Sequence, residues 1–243
     1  MNRNADYGID APGVVLAHIV FGSLLALIAA LGLGWPQPNP IPAALSLGAA
    51  GLGCVVLGYG AVMLRSSLVS KKRVCERLVA ALALSGNERV LDAGCGRGLT
   101  LIACAKKLTT GRAVGIDLWA AKDLSNNNPA ATCANAAAEG VAGRVEVETG
   151  DITRLPYPDA SFDAVISMTV IHNIPSTAAR DQAVRELVRV LKPGGRIALF
   201  DVLHTAHYAE VLEGAGMKVR TLGTDLLWLL PCRSLLAEKP SCP

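Results

Sequence analysis

From Ala11 to Leu64 the chain contains no Asp, Glu, Lys or Arg, and this uncharged segment limits the possible folds more than any other feature. A helix needs roughly 20 apolar residues to cross the hydrocarbon core of a bilayer. Runs of that kind occupy residues 14–34 and 43–64. The residues between them include prolines, which prevent one continuous helix: Pro36, Pro38, Pro40 and Pro42. Residues 1–64 are therefore predicted to form a transmembrane hairpin of two helices.

The basic residues beside this segment predict its orientation. They follow the second apolar run, and none stands in the loop between the runs: Arg65, Lys71, Lys72, Arg73 and Arg77. The positive-inside rule places such residues in the cytoplasm. We therefore expect a multi-pass membrane protein with both termini and the catalytic domain in the cytoplasm.

Two other interpretations of the apolar runs are a buried hairpin of a soluble protein and a cleaved signal peptide. A signal peptide is disfavoured because the start, MNRNADYGID, is not basic and a second apolar run follows. The second run contains glycines that would allow close helix contact in lipid, either within the hairpin or in a homo-oligomer. These are Gly48, Gly51, Gly53, Gly58 and Gly60.

Composition argues against nucleic acid as a partner and against metal sites and disulfides. The net charge of +3 is small and dispersed, so nucleic acid is not expected as a partner. The seven cysteines contain no C-x-x-C pair, so neither a metal site nor a disulfide framework is expected. Scattered reduced thiols of a cytoplasmic domain remain the simplest interpretation.

After a basic linker and helix at 65–85, strands and helices alternate through residues 86–243. The apolar strands read ERVLDAG, RAVGIDL, RVEVETG, FDAVISM and GRIALFDV, with helices at 74–84, 99–108, 129–139 and 177–191. Ser176 is the expected N-cap of the last helix, and Pro193-Gly194-Gly195 is expected to stop it. Alternation of this kind predicts an α/β fold, a doubly wound and mostly parallel sheet with helices on both faces. Ligands of such sheets bind at the carboxyl ends of the strands.

The first strand runs directly into three glycines at every second position, in Asp92-Ala93-Gly94-Cys95-Gly96-Arg97-Gly98. Glycine permits tight backbone angles and close approach of a ligand to the main chain. A dinucleotide site requires G-x-G-x-x-G, and Leu99 stands where its third glycine would be. The D-x-G-x-G-x-G spacing instead resembles motif I of class I S-adenosylmethionine-dependent methyltransferases. The resemblance implies that Asp92, Gly94, Gly96 and Gly98 bind this cofactor, with Asp92 facing its cationic amino group.

Further motifs follow in the order of that family. Gly115-Ile116-Asp117 ends the second strand, Gly150-Asp151-Ile152 follows the third, and residues 161–167 and 189–195 resemble the fourth-strand motif and the turn before the fifth. The resemblance covers roughly residues 77–240. It implies that Asp117 and Leu118 hold the ribose end of the cofactor, that Asp151 and Ile152 hold the adenine, and that Ser167 lines the site. It also implies a sixth strand near 217–222 and an antiparallel seventh near 234–238, in the order 3-2-1-4-5-7-6.

Histidines at the carboxyl ends of the strands are the candidate catalytic residues. His172 follows strand four and His204 follows strand five, where either would serve as a general base for a hydroxyl or thiol acceptor. An amine or thiolate acceptor needs little more than alignment, so each histidine has a structural hydrogen bond as its alternative. The candidate acceptor-binding residues are Trp119, Asn173, Tyr208 and Trp228.

Two aromatic positions keep alternative interpretations. Trp119 either packs on the adenine or covers the edge of the sheet. The apolar run at 226–231, which contains Trp228, is expected between strands six and seven as core, membrane contact or pocket wall. If it is pocket wall, an apolar acceptor enters from the membrane side, between this run, His172 and the linker helix.

The leading hypothesis is a membrane-anchored methyltransferase that converts S-adenosylmethionine to S-adenosylhomocysteine and methylates a hydrophobic small molecule or lipid. The alternatives are an anchored methyltransferase of a soluble small molecule and a non-catalytic module that binds S-adenosylmethionine. Nucleic-acid methylation is disfavoured, because the residues after strand four read SMTVIHNIP and lack the Asn/Asp-Pro-Pro-aromatic motif of amino-methylating DNA enzymes. No long basic stripe is present either.

Overall fold

The computed structural model describes residues 5–35, 41–227 and 230–241. Of the features predicted from sequence, Trp228 and three of the four interspan prolines lie outside these ranges. The first two elements are long helices, α1 at Pro12–Gly34 and α2 at Ala43–Arg65, and both agree with the predicted spans. By length and composition, each could cross a membrane.

Small residues allow α1 and α2 to pack closely. A Cβ atom on Gly22 would lie 2.6 Å from Cγ of Leu57, and one on Gly53 would lie 3.3 Å from the carbonyl oxygen of Gly22. Gly60 faces His18 in the same way, whereas Cβ positions at the other three predicted glycines meet nothing within 4 Å among the described residues. The outward faces carry large apolar side chains that are mostly exposed, such as Val55 at 68%.

The second apolar helix continues into the globular part without a break. A π-helical turn at Ser66–Ser70 joins α2 to α3 at Lys71–Leu82. The predicted helix began at 74, because the apolar periodicity starts at Val74 and gives no sign of the π-helical turn before it. The second apolar helix is therefore continuous with the helix that packs on the sheet.

The sheet has seven strands in the order β3-β2-β1-β4-β5-β7-β6, which confirms the predicted order. Only β7 runs antiparallel to its neighbours, also as predicted. The strands are β1 Arg89–Ala93, β2 Arg112–Asp117, β3 Val145–Thr149, β4 Phe162–Met168, β5 Leu191–Asp201, β6 Lys218–Leu227 and β7 Leu230–Glu238. The helices between them are α4 Leu99–Ala105, α5 Pro129–Ala138, α6 Thr177–Val190 and α7 Thr205–Gly214.

Helices cover both faces of the sheet, and each face has its own apolar core. Leu78 of α3 and Leu101 of α4 are fully buried on one face. Leu187 of α6 and Leu212 of α7 are fully buried on the other. The expected α/β architecture with two covered faces is therefore correct.

The boundary between α6 and β5 differs from the prediction. Ser176 caps α6 as expected, with its hydroxyl accepting a hydrogen bond from the amide of Ala179. The expectation that Pro193-Gly194-Gly195 stops the helix is wrong, because Leu191 is already extended and pairs with Phe162 of β4. The proline and both glycines lie inside β5, next to a register shift in its pairing with β4.

The last two strands are longer than predicted. Pairing between β6 and β7 continues to Leu226 with Pro231 and Leu227 with Leu230. The 226–231 run was expected to connect the two strands, but its described residues form their ends. Backbone pairing of a tight hairpin accounts for the difference, because it extends each strand beyond its buried apolar residues.

Candidate cofactor and acceptor site

A cavity of about 530 Å³ opens at the carboxyl edge of the sheet. Its walls come from the loops after β1, β2, β3 and β4 and from residues that precede α1. This is where a doubly wound sheet binds its ligand, and the volume lies in the ordinary range for small-molecule sites. Most of the predicted cofactor residues line it: Gly94, Gly96, Asp117, Leu118, Asp151 and Ile152.

The glycine loop after β1 needs glycine for conformational and steric reasons. Gly94 has φ of 82°, and a Cβ atom there would lie 2.4 Å from the side chain of Val170. The amides of Gly94 and Cys95 both donate to the carbonyl oxygen of Ile116, which ties the loop to the end of β2. Gly98 begins α4 with φ of 86° and is not among the lining residues, so its role is in the turn.

Asp117 is held rigidly at the end of β2. Its Oδ2 accepts from the amide of Gly96 at 2.9 Å, and its Oδ1 accepts from the amide of Trp119 at 2.6 Å. A carboxylate oxygen has two lone pairs, so Oδ2 retains a position for a hydroxyl donor from a ligand. The side chain of Asn127 also donates to Oδ1, at 3.3 Å.

This set of groups fits S-adenosylmethionine. Ribose hydroxyls and the adenine amino group are hydrogen-bond donors, and the carboxylates of Asp117 and Asp151 accept hydrogen bonds. Leu118 and Ile152 supply apolar surface on the same wall. Among the described residues, no group of three or more His, Cys, Asp or Glu is placed to hold a metal ion.

Asp92 lies beneath the glycine loop rather than at the cavity wall. Its side chain is 1% exposed, and its Oδ2 accepts a hydrogen bond of 2.6 Å from the hydroxyl of Thr100. Burial raises the pKa of this carboxyl group to about 7, opposed by the bond from Thr100. The structure therefore places Asp92 as an internal support of the loop, and does not bring it to the ligand-facing surface.

His172 lines the cavity and lies in a short 3-10 helix after β4. Its Nδ1 lies 2.5 Å from Oδ1 of Asp201, and its backbone amide donates to Oδ2 of the same carboxylate at 2.9 Å. Asp201 ends β5 and is 1% exposed. Nδ1 faces Asp201 without the geometry of a hydrogen bond, which leaves Nε2 as the ring nitrogen that remains for chemistry.

The loop that carries His172 is held by hydrogen bonds from α6. The guanidinium of Arg180, which is buried, donates to the carbonyl oxygens of Ile174 and Pro175 at 2.8 and 3.1 Å. Asn173, predicted to bind the acceptor, is exposed and lines the cavity beside His172. The part of the cavity wall beside His172 is thus tied to α6 by hydrogen bonds.

The remaining predicted residues are placed elsewhere. The hydroxyl of Ser167 is buried and donates to the carbonyl oxygen of Ala93, bridging β4 and β1. The ring nitrogen of Trp119 donates to the hydroxyl of Thr149 at the end of β3, at 2.8 Å. Tyr208 of α7 is fully buried in the core, and His204 is the exposed residue that precedes that helix. Neither is among the residues that line the cavity; Trp228 is outside the described residues.

Sequence reasoning missed one wall of the cavity. Residues 5–11, which we call the N-terminal arm, contact the domain that contains the sheet. The backbone of Ile9 pairs with Ser125, and the amide of Ala11 donates to Asp123 in the loop after β2. Asp6 exchanges hydrogen bonds with the side chain of Asn135. No periodicity in the sequence of the arm indicated these contacts.

Lys71 holds the N-terminal arm from the other side. It is the first residue of α3, is 4% exposed, and donates from Nζ to the carbonyl oxygens of Tyr7 and Gly8 and to the carboxylate of Asp10. Burial lowers the pKa of Lys71, an effect that the neighbouring Asp10 opposes. Tyr7, Asp10 and Lys71 all line the cavity.

Comparisons with known proteins agree with this geometry. A family model described as "Methyltransferase domain" matches residues 91–199. The chain is 36% identical over 158 residues to 27-O-demethylrifamycin SV methyltransferase of Amycolatopsis mediterranei, a match over 64% of this chain and 53% of the relative. It is 35% identical over 177 residues to Methyltransferase GfsG of Streptomyces halstedii, over 65% and 60% of the two chains. This chain thus spans between half and two thirds of the length of these relatives.

A solved structure shares the fold. The crystal structure of a SAM-dependent methyltransferase from Aquifex aeolicus superposes with a TM-score of 0.53 at 21% identity, covering 68% of this chain and 88% of that one. The glycine loop, Asp117 and Asp151 occupy the strand ends at which the resemblance places S-adenosylmethionine. Residues 91–199 therefore match a methyltransferase domain, and the sheet has the fold of an S-adenosylmethionine-dependent methyltransferase.

Proposed function

We propose that this protein is a membrane-anchored methyltransferase that transfers the methyl group of S-adenosylmethionine to a hydroxyl group of a hydrophobic small molecule or lipid. The observation that carries the choice of a hydroxyl is His172 on the cavity wall with the buried Asp201 behind it. An amine or thiolate needs alignment alone, whereas a hydroxyl gains from a base. The printed name of the relative from Amycolatopsis mediterranei also places its methyl group on an oxygen.

When bound, S-adenosylmethionine would supply a sulfonium methyl group, whose carbon would bond in line to the acceptor oxygen as its bond to sulfur breaks and S-adenosylhomocysteine leaves. In this reaction Nε2 of His172 takes the proton of the acceptor hydroxyl as the oxygen–carbon bond forms. Asp201 keeps the proton of the neutral ring on Nδ1 and stabilises the imidazolium that results. Asp201 is thus a positioning residue, while His172 contacts the reacting group.

The apolar helices support anchoring in a membrane. Their outward faces expose large apolar side chains, and so extensive an apolar surface is unfavourable in water. The hairpin has no charged residue before Arg65, and the basic residues follow it. On these grounds the hairpin is multi-pass with both ends in the cytoplasm, where the cofactor is made available.

The position of the hairpin supports a hydrophobic acceptor. Ala11 and Asp10 line the cavity and stand directly before α1, while Lys71 lines it and follows the π-helical turn after α2. Both membrane helices therefore leave the domain at the rim of the cavity. An acceptor that partitions into the bilayer would reach this rim without crossing bulk water.

The test is incubation of the purified full chain in vesicles with methyl-labelled S-adenosylmethionine and a membrane lipid extract. We expect label in the organic phase, in a product whose methyl group is an ether. Label only in the aqueous phase would favour a soluble acceptor. Cofactor binding without formation of S-adenosylhomocysteine, when a cytosolic extract is supplied as well as the lipid extract, would favour a non-catalytic module.

A further inference from the structure

Exposed large apolar side chains are few among the described residues outside the hairpin. Among the described residues they are Leu68, Val69, Leu118 and Leu203. Leu68 and Val69 belong to the π-helical turn that follows α2, and Leu118 and Leu203 follow β2 and β5 at the carboxyl edge. Leu118 is the most exposed of the four, at 63%, and it also lines the cavity.

The loop that carries Leu118 is fastened to the base of the hairpin. Asp10 and Leu124 form a β-bridge, and the amide of Ala11 donates to the carbonyl oxygen of Asp123 at 2.9 Å. The next residue, Pro12, begins α1. These contacts thus hold the loop next to the start of α1. Leu118 in this loop does not pack into the core.

Basic side chains accompany these apolar ones. Lys122 is exposed in the same loop, and Arg65 is exposed at the end of α2. Lys72 and Arg73 are exposed just beyond the π-helical turn, while Asp123 is the acidic neighbour in the loop. Apolar side chains beside lysines and arginines are the combination that binds the headgroup region of an anionic bilayer.

We propose that Leu118 and Lys122, together with Leu68, Val69 and Arg65, form a surface that rests on the bilayer and binds anionic phospholipid. This inference rests on the proposed anchoring by the hairpin and adds a second contact to it. The surface places the mouth of the cavity at the depth of the lipid headgroups. The acceptor it fits is amphipathic, with the reacting hydroxyl near the headgroups and the apolar part among the acyl chains.

The experiment measures the depth of single fluorescent labels in the full chain. The exposed Cys54 and Cys133 and the terminal Cys242 are replaced by Ser, and one cysteine is placed at Leu118, at Val55 or at Thr110. Val55 is an exposed position of α2, and Thr110 is exposed before β2, at the opposite edge of the sheet. Vesicles contain phosphatidylglycerol and a brominated lipid. The bromine is close to the headgroup for the labels at 118 and 110, and near the end of the acyl chain for the label at 55, which lies midway along α2.

We expect the label at Leu118→Cys to be quenched and shifted to the blue, and the label at Thr110→Cys to show neither change. Removing phosphatidylglycerol should reduce the quenching at 118 but not at Val55→Cys. Equal, weak quenching at 118 and 110, with strong quenching at 55, would overturn the surface while leaving the anchor intact. Absence of quenching at 55 would instead refute the anchoring itself. If Leu118→Cys does not fold, Ala121→Cys in the same exposed loop gives the same measurement.

Discussion

In the proposed reaction, Asp201 lies beside Nδ1 of His172 and leaves Nε2 for the acceptor. The carboxylate also accepts a hydrogen bond from the backbone amide of His172, so it holds the loop in place. The sequence contained a signal for this partner, since Asp201 ends the apolar strand GRIALFDV at the edge where ligands bind. The histidine was found because it has an ionisable ring, whereas the acid was taken as part of the strand.

Replacing His172 with Gln is expected to lower kcat by ~10²–10⁴-fold, the ordinary contribution of a general base. Binding of S-adenosylmethionine, measured by calorimetry, should stay the same because the cofactor residues are on other loops. His207→Gln is the matched control, since His207 pairs with Asp181 on the surface and does not line the cavity. An unchanged kcat in a folded His172→Gln protein would show that the acceptor needs no base.

Asp92 gives stability a dependence on pH near neutrality. Its folded-state pKa of about 7 is raised above the ordinary value of 3.8 by burial. The native state therefore holds this proton more tightly than the unfolded chain does. The resulting contribution to the free energy of unfolding is fully present below about pH 4 and is lost as pH rises through about 7. Its maximum is on the order of 4 kcal/mol.

Denaturation of wild type and Asp92→Asn at about pH 5 and about pH 8 tests this dependence. The free energy of unfolding of the wild type should fall, relative to that of the variant, between the two pH values. An amide in this position still accepts the bond from Thr100, which keeps the comparison close. Parallel changes in the two proteins would mean that Asp92 is ionised in the folded state at both pH values.

At the scale of elements, the strands and most helices follow from the sequence because their apolar periodicity matches their burial. The order of the sheet came from the resemblance to a family and not from periodicity. The π-helical turn and the N-terminal arm were missed for different reasons. Ser66–Ser70 has no pattern that distinguishes it from an α-helical turn, and the arm is held by hydrogen bonds and ion pairs to distant residues. Patterns within a short window do not report such contacts.

Lys71 is the connection between the arm and α3, and its removal tests the role of the arm. Lys71→Met removes three hydrogen bonds and leaves the carboxylate of Asp10 without its partner. Local opening of the arm should become easier by about 1–3 kcal/mol. We expect faster amide exchange in residues 7–11 and weaker binding of S-adenosylmethionine.

Lys72→Met is the control for this change, because Lys72 is the exposed neighbour on the same helix. Hydrogen exchange followed by mass spectrometry distinguishes the arm from the rest of the chain. A uniform increase in exchange across the sheet would mean that Lys71 supports the whole fold, and the separate role of the arm would be lost.

At the scale of the whole molecule, the proposed topology places the 86–243 domain and the start of the chain on one side of the membrane. The contacts of the N-terminal arm with Ser125 and Asn135 require the same arrangement. A cysteine at Asn39, which lies outside the described residues, should react with an impermeant reagent only from outside the cell. Reaction of this cysteine only from the cytoplasmic side would overturn the topology, and a cysteine at exposed Thr110 is the control for the opposite side.

The N-terminal arm also sets an order of events during synthesis. Asp6 is hydrogen-bonded to a residue 129 positions later, and Ile9 to one 116 positions later. The arm leaves the ribosome before its partners exist, and contacts across such long loops form only after the intervening chain has folded. The arm is therefore made early and docked late. A fragment that starts at residue 86 would contain the glycine loop and His172, but it would lack both the arm and the lysine that holds it.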